Sequence, residues 1–152
     1  MIRDTRKYAH GIKRLWVHMS FKVKYCHEIF KIEKVRNECQ NIFEEISSEK
    51  NIELKSIGFD ENHIHLISDL GHLSEPEVRK IFKGTSGRKL LKKFPWLKRR
   101  YFWGSGLWGR QYYCYAIGSD MNQLANYVKK QKFFTAMNDP KQTALEEYYQ
   151  SK

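Results

Sequence analysis

Residues 52–70, IELKSIGF-DEN-HIHLISDL, constrain the fold more than any other stretch of this chain. Two runs rich in β-forming apolar residues are separated by only three polar ones, Asp60-Glu61-Asn62. A gap that short leaves no room for a crossover connection, so 52–59 and 63–70 must pair antiparallel as a hairpin. Helical patterns flank it on both sides. Upstream, 31–51 places Ile32, Val35, Cys39, Ile42, Phe43 and Ile46 at helical spacing. Downstream, Ser74 supplies an N-cap hydroxyl and Pro76 a first-turn proline to a helix over about 76–94 carrying Val78, Ile81, Phe82, Leu90 and Leu91. Its middle, Gly84-Thr85-Ser86-Gly87, is either a break or a site of close approach.

One more β-rich run lies beyond each helix: LWVHMSFKVKY (15–25) and YYCYAI (112–117). Residues 1–14 read as a polar, basic lead-in and 92–111 as a loop. The order β-α-β-β-α-β predicts an α+β fold of the ferredoxin-like, split βαβ kind, with a four-stranded antiparallel sheet and helices on one face. Gly118-Ser119-Asp120 opens a further, C-terminal helix to about 134, with Asp120 and Gln123 at capping-box spacing. A short polar helix or tail (136–152) follows, and 152 residues suit a single domain.

Charge narrows the partner. Lys and Arg number 28 against 17 Asp and Glu, a net charge of +11, more than solubility requires. The basic residues interleave with aromatics instead of lining one long amphipathic helix, which favours nucleic acid over membrane. Lys89, Lys92, Lys93, Lys98, Arg99, Arg100 and Arg110, set among Phe94, Trp96, Tyr101, Phe102, Trp103 and Trp108, combine phosphate attraction with stacking surfaces. That mixture suits single strands and hairpin tips, although the same aromatics could cap a core. No run of about 18 apolar residues is present, and no signal-peptide pattern follows the charged N-terminus. Cys26, Cys39 and Cys114 fit neither a disulfide framework nor a Cys-x-x-Cys zinc site, so reduced thiols and a cytoplasmic location are expected.

The hairpin's second strand carries an oddity. His63 and His65 stand where a core strand prefers Val or Leu. Residues i and i+2 of a strand project from one face about 6.6–6.8 Å apart, so both imidazoles point one way while Ile64 and Leu66 point into the core. Neutral imidazoles that converge can share a divalent ion; the alternative is a solvated pair on an open sheet face. The zinc-deaminase pattern fails for lack of a following Glu and a Cys-x-x-Cys. His-x-His-x-Asp-His fails because Ile67 and Ser68 stand in the last two places. His18 reads as a packed or surface histidine rather than a ligand.

Two ligands need a third. NQLANYVKKQK (122–132) carries Tyr127 and Gln131 one turn apart beside an apolar stripe of Met121, Leu124, Ala125 and Val128. Gln131 can offer a carbonyl oxygen to a hard ion, and Lys129 and Lys130 add positive charge. Tyr127 offers a phenol, a nucleophile once a cation or base favours its phenolate, or else simply packs beside the helix. A basic surface, an imidazole pair and a Tyr-x-x-x-Gln helix together suit phosphoryl transfer through a phosphotyrosine intermediate that conserves bond energy for rejoining.

His63-Ile64-His65 within GFDENHIHLISDL, and Tyr127 with Gln131 in NYVKKQK, resemble the single-tyrosine transposases of the 200/605-type insertion sequences. These belong to the His-hydrophobic-His nuclease superfamily, and the resemblance spans about residues 10–135. It implies Tyr127 as the nucleophile forming a 5′-phosphotyrosine link, and His63, His65 and Gln131 as holders of Mg²⁺ or Mn²⁺. It further implies a homodimer, completed by exchange of the tyrosine helix, acting on single-stranded DNA with hairpins near the element ends. KYCHEIF (24–30) departs from the Pro-Lys-Tyr-Arg run of many relatives. Outside this class, a non-catalytic single-strand-binding module of the same fold fits the composition. A domesticated nuclease acting on hairpin repeats is a further alternative.

Overall fold

The computed structural model describes residues 15–118, the backbone of 6–8 and 11–13, and Asn122. Tyr127, Lys129, Lys130 and Gln131 lie outside the described residues, as does nearly all of the predicted C-terminal helix. The lead-in contains a short antiparallel ladder of β1 (Arg6–Tyr8) and β2 (Gly11–Lys13), which its polar composition did not signal. The main body then runs β3 (Trp16–Val23), α1 (Glu33–Glu49), β4 (Glu53–Phe59), β5 (His63–Asp69), α2 (Glu75–Lys93) and β6 (Trp108–Gly118).

The hairpin forms as its spacing requires: β4 and β5 pair antiparallel, and the Asp60 N–H donates to the His63 carbonyl at 3.0 Å to close the turn. All pairings in the main sheet are antiparallel, in the order β4-β5-β3-β6. The two strands next to each other in sequence thus share one side, and β3 is inserted between β5 and β6. This is the ferredoxin-like arrangement.

Alternation sorts β3 cleanly. Val17, Met19, Phe21 and Val23 join Ile64 and Leu66 of β5 in one apolar cluster with Val35, Cys39, Ile42, Phe43 and Ile46 of α1 and Val78, Phe82 and Leu90 of α2. Phe43 stacks on Phe82 at 4.9 Å and lies 6.4 Å from Phe21, so one ring ties both helices to the sheet. Fully burying such a ring contributes roughly 1.5–3 kcal/mol. Both helices therefore cover the same face, and the opposite face carries Trp16, His18, Ser20 and Lys22 of β3 beside His63, His65, Ile67 and Asp69 of β5.

Two features differ from the sequence expectation. Helix α2 runs unbroken through Gly84-Thr85-Ser86-Gly87, its N-terminus capped by the Ser74 hydroxyl, which accepts from the Glu77 N–H. Gly87 is the close approach: a Cβ there would sit 3.6 Å from Leu107 and Trp108. The presumed loop 92–111 is largely ordered structure: the end of α2, a helical turn at Pro95–Leu97, a wide π-type turn at Lys98–Phe102, and a β6 that starts at Trp108, earlier than expected. The cause is Trp108. Its indole N–H donates to the buried Ser86 hydroxyl at 2.9 Å, and its ring packs on Phe21, Phe30 and Phe43. That anchoring draws the preceding basic segment against the domain.

Candidate active site

The site grows from the register of three strands. His63 lies opposite Lys22 and His65 opposite Ser20 on β3, while Gly58 of β4 flanks His65 on the other side. Alternation then aims both imidazoles away from the helices, as the spacing predicts. Their planes are nearly parallel, 17° apart, with ring centroids 6.1 Å apart.

The same face holds a third imidazole. His18, two residues before Ser20, leans diagonally across the strand pair until its Nε2 lies 3.3 Å from Nδ1 of His65. Its other side meets Tyr113 of β6 edge-on, ring centroids 5.4 Å apart. His18 is packed, as expected, but packed against one of the two site histidines. Nothing local announces this. The signal, available only once strand order is known, is a histidine on the neighbouring strand in the same alternation phase.

Burial sets the charge state. It lowers the His18 pKa to about 4. It lowers that of His65 to about 3, aided by the neighbouring His18 and His63. His63 is lowered too, mainly by burial; Asp60 opposes the shift and Lys22 adds to it. Neutral rings near pH 7 carry free lone pairs, the state a metal ligand needs. Nδ1 of His63 is buried without a hydrogen-bond partner, an arrangement that costs about 1–3 kcal/mol unless something satisfies it. Two neutral, side-by-side nitrogen donors with an orphaned buried atom fit a divalent cation. Among the described residues no group of three His, Cys, Asp or Glu could hold a metal by itself, so a cation at this pair would need a further ligand. Gln131, the expected one, and Tyr127, the expected nucleophile, lie outside the described residues.

The expected DNA-contacting residues separate into distinct settings. In the turn Lys98–Phe102, Phe102 is buried in the core while Lys98, Arg99 and Arg100 are exposed. Trp103 follows, 84% exposed. Trp96 is different: half-buried, it packs on the core beside Phe94 and under the Lys34 ammonium at 5.3 Å. Lys92 and Lys93 are exposed at the C-terminus of α2, where cations interact favourably with the negative end of the helix dipole. Lys89 turns to Glu45 of α1 at 3.6 Å, and Arg110 is exposed on β6.

Two aromatic residues missed in the sequence complete this end of the sheet. Tyr25 is 66% exposed, and with Cys26 it adopts left-handed backbone, φ 61° and 58°. Such conformations cost free energy in non-glycine residues and concentrate at functional sites. The His27 ring packs against Tyr101 in a tilted arrangement, centroids 4.8 Å apart, and the Arg100 guanidinium lies 5.3 Å from the Tyr101 ring. The segment is fixed in place: Val23 N–H donates to the Asn62 carbonyl, Lys24 N–H to Leu107 and Phe30 N–H to Glu61. Tyr25, His27, Tyr101 and the basic turn thus gather at the end of β5 that carries His63. The odd KYCHEIF run was the only local sign.

The fold and the site together define a class: a ferredoxin-like α+β domain with an imidazole cluster on the sheet face opposite its helices and a basic, aromatic end. Residues 12–131 match the family model described as "Transposase IS200 like", and the chain belongs to that family. The ISDra2 transposase TnpA of Deinococcus radiodurans is 25% identical over 130 residues, covering 84% of this chain and 91% of that protein. The transposase for insertion sequence element IS200 of Salmonella typhimurium is 26% identical over 129 residues, covering 84% of each. The fold agrees with a Deinococcus radiodurans crystal structure of a protein described as a transposase, at TM-score 0.67 and 24% identity over 83% of this chain and 97% of that one. It also agrees with a REP-associated tyrosine transposase bound to a REP hairpin, at TM-score 0.54 and 11% identity over 84% and 70%. No helix among the described residues is long and apolar enough to cross a membrane.

Proposed function

We propose that this transposase-family chain cleaves and rejoins single-stranded DNA at insertion-sequence ends by cation-assisted transesterification, with Tyr127 as nucleophile. The observation that carries the reading is the pair of neutral, parallel imidazoles, His63 and His65, with a buried and unpartnered Nδ1 on His63. These two and Gln131 would hold Mg²⁺ or Mn²⁺, which supplies charge stabilisation at the non-bridging phosphate oxygens. The Tyr127 oxygen attacks phosphorus, the P–O3′ bond breaks, and the departing 3′ oxygen takes up a proton. The 5′ end stays linked to the protein until another 3′ hydroxyl reverses the step.

Arg99, Arg100, Lys98 and Trp103, with Tyr25 and Tyr101 nearby, form the surface for a hairpin near the element end. Phosphates would meet the cations, and an unpaired base would stack on the exposed indole. The hairpin held by the REP-associated relative supports that choice of partner. A homodimer is supported by β6, an 11-residue strand paired on only one side among the described residues and exposing Tyr112 and Tyr113. Long exposed edges of this kind recruit a second strand.

The test is a covalent adduct. Wild-type protein with Mn²⁺ and an end-containing single strand should yield a protein–oligonucleotide species that survives denaturant, and Tyr127→Phe should bind the same strand yet yield none. Binding without an adduct in the wild type would leave a single-strand-binding module. Adducts formed only on isolated hairpin repeats, and not on element ends, would mark a domesticated nuclease.

A further inference from the structure

We infer that His18 is a positioning residue for the cation site: it orients the His65 ring and holds its Nδ1 so that Nε2 is left for the metal. The inference rests on the cation reading above and assigns a role to a residue outside the His-x-His pair.

The geometry is specific. His18 Nε2 stands 3.3 Å from His65 Nδ1, a contact reached across 47 residues of sequence. Ser20, directly opposite His65, is small enough to let the His18 ring lean over it. Tyr113, edge-on at 74°, blocks the other side of the His18 ring. With 4% of its surface exposed, His18 has little space in which to rotate away.

Proton counting gives the mechanism. A neutral imidazole carries one N–H and one lone pair. With Nδ1 of His65 engaged by His18, only Nε2 can offer its lone pair to a cation. The N–H of His65 must then sit on Nδ1 and donate to Nε2 of His18. His18 in turn must accept there and keep its own proton on Nδ1. Metal-bound histidines are commonly fixed in this way by an acceptor on the second nitrogen, and loss of that acceptor lowers metal affinity about 10–100-fold. In this protein the acceptor is another imidazole, delivered from the adjacent strand.

Two measurements test the assignment. Nitrogen-15 NMR of the wild-type protein saturated with Mg²⁺ should find His65 protonated at Nδ1 and His18 protonated at Nδ1 with Nε2 accepting. A proton on Nε2 of His18 under those conditions overturns the inference, without any variant. Mn²⁺ affinity, followed by electron paramagnetic resonance, should fall about 10–100-fold in His18→Leu. His18→Gln, whose carboxamide oxygen can accept, should recover most of that loss. If His18→Leu binds Mn²⁺ like wild type while His63→Ala does not, the positioning role is wrong and the cation site stands. If His63→Ala also binds like wild type, the cation reading and this inference both fail.

Discussion

Replacing His63 by leucine should move stability and metal response in opposite directions. In the metal-free protein Nδ1 of His63 is buried and unpartnered, and an unsatisfied buried polar group costs about 1–3 kcal/mol. Leucine has similar bulk and no polar atom, so His63→Leu removes that cost. At the lower bound the metal-free variant gains about 1 kcal/mol, or roughly 2–4 °C in Tm for a chain of this size. If the proposed cation site exists, Mn²⁺ at about 100 times its Kd should add about 2.7 kcal/mol to the wild type through binding linkage, or roughly 5–11 °C. The variant, having lost a ligand, should show almost none of that gain. Thermal and urea unfolding, followed by fluorescence of buried Trp16 and Trp108 with EDTA or with Mn²⁺, measures both quantities. A metal-free variant less stable than wild type by 1 kcal/mol or more would show that Nδ1 was satisfied all along. A retained Mn²⁺ shift would place the cation elsewhere.

Three further outcomes are expected. Trp103→Ala should weaken single-strand binding roughly 5–150-fold, the worth of one stacked base, and leave Tm unchanged because the indole is 84% exposed; Trp96→Ala should instead lower Tm, since that ring packs on the core. Gly84→Ala should stabilise the protein by about 0.5–1 kcal/mol, because the added Cβ meets nothing within 4 Å in the middle of α2 and alanine favours helix; a destabilised variant in urea melts would contradict an unbroken helix there. Stability of the metal-free protein should fall with acid: between about 6.5, the pKa of exposed histidine, and about 4, the unfolded chain binds protons that native His18 and His65 refuse. The slope from each is at most about 1.4 kcal/mol per pH unit, and His18→Gln should flatten the profile by one histidine's share; coincident profiles would mean His18 titrates normally.

Local pattern carried most of the fold. The DEN gap forced a hairpin, helical spacing placed α1, and Ser74 with Pro76 began α2, because each of these depends on residues adjacent along the chain. The same holds for His63 and His65: strand alternation alone aims them together. The order of segment 92–111 is not legible in its own sequence because it depends on a distant pocket. Phe21, Phe30, Phe43 and Ser86 receive Trp108, and no local periodicity records that.

The chemistry divides along the same line. The sequence by itself determined the paired imidazoles, the excess of positive charge and the order of the elements, all properties of neighbouring residues. Tertiary structure decided that β3 inserts between β5 and β6, and with that insertion that His18 meets His65 and Tyr113. It also decided that Trp108 is a core residue while Trp103 faces solvent. The physical reason is that strand order and register arise from burying one shared apolar face, a sum over the whole domain that no short window contains.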